Sequence, residues 1–249
     1  MKLSDLNRAI RRSRNLSNTR AGTIVRAKQG NTTAEFAIFD PKDIIQSYQA
    51  AGEFYEYEEL NVMLSHFKGG LFVDVGGNVG NHSIFFALQQ NCSAVITFEP
   101  NPIALRILQT NIALNNLQSK ITVMPFGLGE KDDEFEIRSQ RHNLGGARLH
   151  VQKSDDASIA QTIVAIKVGD DVLRKTQPTL IKIDIEGFED KCLRGLIKTI
   201  EKHRPILFVE LDDKNSIEVG QFLQRLNYQV LARPSRHGTS SNILYGPRG

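Results

Sequence analysis

Asp74, Gly76, Gly77, Asn78, Gly80 and Glu99, the last 23 residues beyond Gly76, are the residues whose types and spacing most clearly point to chemistry. The apolar run Leu71-Phe72-Val73 leads into Asp74-Val75-Gly76-Gly77-Asn78-Val79-Gly80-Asn81-His82-Ser83. Glycines allow such a turn to tighten and the backbone to approach a ligand. The helix expected beyond it begins with free N–H groups. A second apolar run, Ala94-Val95-Ile96-Thr97, ends in Phe98-Glu99-Pro100. A carboxylate placed there can accept two hydrogen bonds from a ribose diol. A nicotinamide dinucleotide would use the same geometry, but its Gly-x-Gly-x-x-Gly pattern, counted from Gly76, meets Asn78 and Asn81 where glycines belong. Asp74 would repel a pyrophosphate. It suits a ligand with an amino-acid moiety, whose ammonium a carboxylate can meet directly or through water. Each acid also has a plainer role, Asp74 as a helix cap and Glu99 as a strand-end acid. The two at this spacing favour a cofactor.

A second constellation lies near residue 184. Ile181, Ile183 and Ile185 alternate with Lys182, Asp184 and Glu186, so the two sets face opposite sides of a strand. A central parallel strand is normally apolar on both faces. Burying unpaired carboxylates is expensive, so these acids must be paired or line a cavity. Lys182 reads as a structural partner for a nearby acid, and Asp184 and Glu186 as candidates for a reaction centre. Glu210, Asp212 and Asp213 extend the acidic set. Hard oxygen ligands of this kind can hold magnesium. However, Asp212-Asp213-Lys214-Asn215 reads as a turn into a helix, and no metal is expected.

The elements that must position these residues alternate. Residues 1–20 allow a short helix, with Leu3, Leu6 and Ile10 at helical spacing, and residues 23–39 a hairpin turning at Gly30-Asn31. Residues 43–67 read as one helix, with Phe54, Tyr55 and Tyr57 as core anchors or part of a lid. Strands are expected at 71–75, 94–98, 121–124, 180–185 and 206–211, with helices at 82–90, 102–114, 188–201 and 216–226. Residues 135–166 read as a β-rich insertion, and two strands close the chain at 228–232 and 241–245. This alternation implies a Rossmann-like α/β fold, a mostly parallel sheet covered on both faces, with ligands at the carboxyl ends of its strands.

Composition excludes several classes. With 249 residues, 40% hydrophobic and 24% charged, the chain can build a sizeable core. No apolar run approaches bilayer length, and residues 1–20 lack the apolar segment of a secretory signal. Cys92 and Cys192 are the only cysteines. They form neither a disulfide framework nor a zinc motif, and a cytoplasmic setting is expected. The net charge is +3, yet residues 1–30 set eight basic side chains against Asp5 alone. A basic arm can bind nucleic acid. With no aromatic residue interleaved in it for base stacking, it reads as a solvated terminus and nucleic acid is not an expected partner.

These motifs resemble the FkbM family of methyltransferases. The matching stretches are Phe54-Tyr55-Glu56, Val73 through Ser83, Phe98-Glu99-Pro100-Asn101-Pro102, Asn143-Leu144-Gly145-Gly146-Ala147, Ile181 through Glu189, and Arg204-Pro205. Gly77 stands where the family commonly has alanine, a small-for-small change. The resemblance implies S-adenosylmethionine as methyl donor, a seven-stranded sheet and a hydroxyl acceptor on a sugar, glycan or other metabolite. Residues 1–50 would form an N-terminal extension or cap and 51–249 the methyltransferase domain. The candidate cofactor set is Asp74, Gly76, Gly77, Asn78, Gly80, Asn81, His82, Glu99, Pro100 and Gly127. An alcohol is a poor nucleophile while protonated, so a positioned base helps. Asp184 is the first candidate and His142, before Asn143-Leu144-Gly145-Gly146, whose glycines would allow a loop to close over an acceptor, the second, with Glu186 beside them. A salt bridge to Lys182 is the plainer role for Asp184, and a surface loop that for His142. Methylation of nitrogen or RNA, and a non-catalytic cofactor-binding module, are the alternatives.

Overall fold

The computed structural model describes residues 22–140, 143–150, 162–185, 187–237 and 239–249, with backbone alone at 138–140, 143–150 and 235–237. His142 and Glu186, and the helix expected in residues 1–20, lie outside the described residues.

The N-terminal hairpin pairs β1 (Thr23–Gln29) with β2 (Thr32–Ile38), turning at Gly30, whose φ is +55°. Residues 43–67 form two helices, not one. These are α1 (Ile44–Ala50) and α2 (Tyr57–His66). Gly52 at φ +86° and Glu56 at φ +57° leave the right-handed helical region, and both break the helix. The same break carries Tyr55 and Glu56 across the end of the sheet.

The central sheet has seven strands. β3 (Gly70–Val75), β4 (Cys92–Phe98) and β5 (Ile121–Met124) run to one side, and β10 (Pro178–Ile183) and β11 (Ile206–Asp212) to the other, all parallel. The antiparallel β13 (Ser240–Pro247) and β12 (Tyr228–His237) complete the order β12-β13-β11-β10-β3-β4-β5. Strand order therefore reverses between β3 and β10, the place where such sheets bind ligands. The insertion forms a second sheet, β6-β9-β7-β8, from β6 (Gly127–Gly129), β7 (Asp133–Gln140), β8 (Asn143–His150) and β9 (Thr162–Val168).

Helices cover the central sheet: α3 (Asn81–Ala87), α4 (Pro102–Leu114), the short α5 (Gly169–Val172), α6 (Glu189–Gly195), α7 (Ile197–His203) and α8 (Asp213–Arg225). The helix expected at 188–201 is thus split, and α8 starts three residues early because Asp212 caps it, accepting from Lys214 N at 3.1 Å. Alternation divides the core. Phe72, Leu180, Phe208 and Leu244 pack with Phe36 of the hairpin on one face of the sheet. Val73, Ile181, Ile183, Leu207 and Val209 pack with α6 to α8 on the other. Hairpin and sheet share that first core, and Asn111 ties them further, accepting from Ala37 N at 2.8 Å and donating to Val79 O at 2.8 Å. Two residues beyond each of Phe72, Leu180 and Phe208, on the same face, come Asp74, Lys182 and Glu210. The hairpin-side face therefore ends in a polar row at the carboxyl edge.

Candidate active site

A cleft with a cavity volume of about 190 Å³ opens over that edge. Its walls come from the β3–α3 turn (Gly76, Gly77, Asn78), the end of β4 (Phe98, Glu99, Pro100, Asn101), Gly127 and Leu128, and Asn81 and His82 of α3. Lys182, Asp184, Ile185 and Glu210 form its floor, and Tyr55, Glu56, Ile44 and Ile45 close it from the N-terminal side.

The turn is sterically determined. Gly76 has φ +87°, and a Cβ there would run into the Asp184 carbonyl oxygen. Gly80, at φ +94°, abuts Leu108, whose Cδ1 would lie 2.7 Å from an added Cβ. A Cβ on Gly77 would run into Thr97 Oγ1, so in this chain the position tolerates no methyl while Thr97 keeps its place. Asn78 sits in the left-handed region at φ +48°, and its buried Oδ1 has no hydrogen-bond partner.

Glu99 is 7% exposed and braced by both oxygens. Oε2 accepts from Asn78 N at 2.8 Å and Oε1 from Asn101 N at 2.7 Å. Each oxygen keeps a lone pair for a ligand. Burial pushes its pKa up to about 7, against the pull of the Asn101 and Asn78 N–H groups.

Asp74 stands behind the cleft wall. It is fully buried, accepts from Ser83 Oγ at 2.6 Å through Oδ2, and lies 3.4 Å from Lys182 Nζ through Oδ1. Asp74 is not among the residues that line the cleft, and its contacts are with Ser83 and Lys182. Gly80 likewise shapes the turn from outside the lining. Lys182 is the hub. Its side chain is 2% exposed, and Nζ donates to Gly76 O at 3.1 Å and pairs with Asp184 Oδ2 at 3.2 Å as well as with Asp74. Burial opposes its charge, but Asp184, Asp74 and Glu56 hold its pKa above the usual lysine value. One buried ammonium thus fastens the β3 turn to the end of β10.

Asp184 faces the cleft with its side chain 30% exposed. Burial favours its neutral form, but Lys182 and a hydrogen bond with Glu210 outweigh this and keep its pKa below the usual carboxylate range. Both roles expected for Asp184, cleft acid and Lys182 partner, therefore coexist in the geometry. Asn81 lines the cleft with its amide spent on the Tyr55 backbone: Nδ2 donates to Tyr55 O at 2.8 Å and Oδ1 accepts from Tyr55 N at 3.0 Å. His82 Nε2 lies 3.3 Å from Glu56 Oε2, with both side chains under 10% exposed. Burial and then Lys182 push the His82 pKa well below the ordinary value, so the ring is neutral. Burial and then Asp184 push Glu56 up to about 8. Of the aromatic anchors, Phe54 is core at 1% exposed, Tyr57 is 57% exposed, and Tyr55 alone reaches the cleft.

Glu56 is the site residue that residue-level reading missed, although it falls in a stretch matched by resemblance. Its position at a helix break, unreadable while 43–67 passes for one helix, is what delivers it to the cleft.

The family model for the methyltransferase FkbM domain matches residues 74–230. "Methyltransferase 1" of Beauveria bassiana (strain ARSEF 2860) is 28% identical over 145 residues, covering 50% of this chain and 57% of its own length. "Methyltransferase sdnD" of Sordaria araneosa is 24% identical over 154 residues, covering 50% and 59%. The chain thus spans under three-fifths of these relatives. The crystal structure of methyltransferase FkbM from Methylobacillus flagellatus KT shares the fold at a TM-score of 0.55 and 20% identity, covering 78% of this chain and 46% of that one. With the matched region running from the buried Asp74 through every parallel strand beyond it to β12, the chain belongs to the FkbM methyltransferase domain family.

Proposed function

We propose that the cleft binds S-adenosylmethionine and that the chain transfers its methyl group to a hydroxyl of a sugar, glycan or other hydroxylated metabolite. The observation that carries this reading is Glu99, braced by two N–H groups at the end of β4 beside the glycine turn, with lone pairs left over. The residues fit such a donor: Glu99 for the ribose diol, Asn78 with its unpartnered Oδ1, and Gly76, Gly77, Pro100 and Gly127 as close-approaching walls. When bound, the donor supplies a methyl group already activated by a sulfonium charge. The protein's part is then alignment. Asp184, anionic at neutral pH, accepts the hydrogen bond of the incoming hydroxyl and orients it. Its low proton affinity implies that the proton leaves late, with methyl transfer well advanced. Ile44 and Ile45 at the cleft wall support the reading of residues 1–50 as a cap.

Methylation of an amine is the second reading, favoured by the acids at the cleft floor. The same acids disfavour RNA, whose phosphates they would repel. Among the described residues no helix is long and apolar enough to cross a membrane. The two buried free thiols suit the reducing cytoplasm proposed for the chain.

Thermal unfolding with S-adenosylmethionine, S-adenosylhomocysteine and NAD tests the donor. A ligand at 100 times its Kd adds about 2.7 kcal/mol. Stabilisation by the two adenosyl compounds alone is expected, and stabilisation by NAD alone would overturn the reading.

A further inference from the structure

Helix α1 has its polarity reversed. An amphipathic helix ordinarily buries its apolar side chains and exposes its polar ones. In α1 Gln46 and Gln49 are fully buried, whereas Ile44 and Tyr48 are 49% and 46% exposed. Polar contacts fix this orientation. Asp43, itself buried, caps the helix by accepting from Gln46 N at 3.1 Å, and Gln46 Oε1 accepts from Phe39 N at 2.8 Å and Asp40 N at 3.1 Å. Ile44 and Tyr48, four residues apart, therefore share the outward face. Scattered exposed apolar side chains are ordinary, but these two are continuous with the cleft. Ile44 lines it, and the Tyr48 ring packs edge-on against Tyr55, which lines it too, with centroids 5.3 Å apart. Inside, the apolar lining continues through Ile45, Ile137 and Ile166. Helix α1 precedes residues 74–230, so this face lies outside the stretch matched by the family model.

We infer that Ile44, Tyr48 and Tyr55 form an apolar lip that receives the non-reacting body of the methyl acceptor, an alkyl or aryl group that carries the hydroxyl. The inference rests on the acceptor reading of the same cleft and narrows it: the acceptor is an alcohol with an apolar body, not a small polyol. A sugar qualifies only when it bears such a group. The hydroxyl meets Asp184 in the cleft, while the apolar body stays at the mouth and takes the exposed faces of Ile44 and Tyr48 out of water. Burial of apolar surface is non-directional, so the lip sets affinity and Asp184 sets orientation.

Calorimetric titration of the full chain with propane-1,2-diol, hexane-1,2-diol and octane-1,2-diol, with and without S-adenosylhomocysteine, tests the lip. Affinity should rise about fourfold for each methylene that leaves water. Ile44→Ser should flatten this dependence on chain length, whereas a general loosening of the fold would shift all three diols alike. The chain contains no tryptophan, so Tyr48→Trp places a single reporter on the lip. Its emission should move to the blue with octane-1,2-diol and stay in place with propane-1,2-diol. No gain with chain length, the same gain in Ile44→Ser, or binding of octane-1,2-diol without an emission change in Tyr48→Trp would overturn the lip. Sedimentation of the ligand-free chain tests the other occupant: a dimer that Ile44→Ser dissociates would give the face to a second copy and overturn the inference. Failure of S-adenosylhomocysteine to bind would overturn the donor reading, and the diol series without it would still decide whether the lip takes an apolar body.

Discussion

Asp74 and Glu99 look interchangeable in the sequence, as acids at the ends of neighbouring strands, yet their surroundings separate them. Glu99 lines the cleft, whereas Asp74 is sealed behind it against Lys182 and Ser83. Glu99→Ala should weaken S-adenosylmethionine binding by about 1.5–3 kcal/mol, the worth of hydrogen bonds to a charged group. Unchanged affinity by calorimetry would remove the ribose assignment. Asp74→Asn should act first on folding, because it strips a charge partner from a buried ammonium. A loss of about 3–5 kcal/mol in urea unfolding is expected. A variant of normal stability and reduced donor affinity would return Asp74 to the ligand. Asp184→Asn should retain donor binding and lose turnover, and full turnover would exclude it from orienting the acceptor. The sequence revealed Asp74 and Glu99 through the glycine turn and their spacing, and Asp184 because a polar face on a central strand is anomalous. It could not rank them, since which carboxylate meets a ligand depends on which side of the turn the lysine reaches.

At the scale of elements, the β3–α3 turn is held by volume. A methyl on Gly77 has no room beside Thr97 Oγ1, which is buried and without a hydrogen bond. Gly77→Ala should cost about 1–3 kcal/mol by overpacking. In the Gly77→Ala/Thr97→Ala double variant the freed space should recover part of that cost, a coupling that a denaturant double-mutant cycle reads directly. Strict additivity would mean that the turn yields elsewhere. The strands around this turn were legible because short apolar runs ended by glycine or an acid recur through the chain, and α4 (Pro102–Leu114) was readable to the residue from the proline at its first position. The α1–α2 break was not legible. Its apolar spacing continues through Gly52 and Glu56, and only their positive φ values interrupt the helix. The cap position of Asp212 was hidden in the same way, since an acid in a polar run reads equally well as turn or as cap.

Across the whole molecule, burial of acids makes stability depend on pH with an unusual sign. Glu56 at about 8, Glu99 at about 7 and Glu189 at about 7 all titrate above the ordinary value of 4.5, burial being the largest cause for each. Between those limits the three carboxyls hold more protons in the folded chain than in the unfolded one, and they outnumber His82, which is held neutral and works with the opposite sign below about 6.5. Stability therefore falls as pH rises from about 5 to about 8 and levels off above that. Asp184, with its pKa held low, and Lys182, with its pKa held high, work at the far edges. Asp184 loses its contribution only as pH drops through the acid range, and Lys182 only above its unfolded value. Urea unfolding of the ligand-free chain at pH 5, 6.5 and 8 should show a progressive loss of stability. A flat or rising profile would mean that these carboxyls are already ionised in the fold.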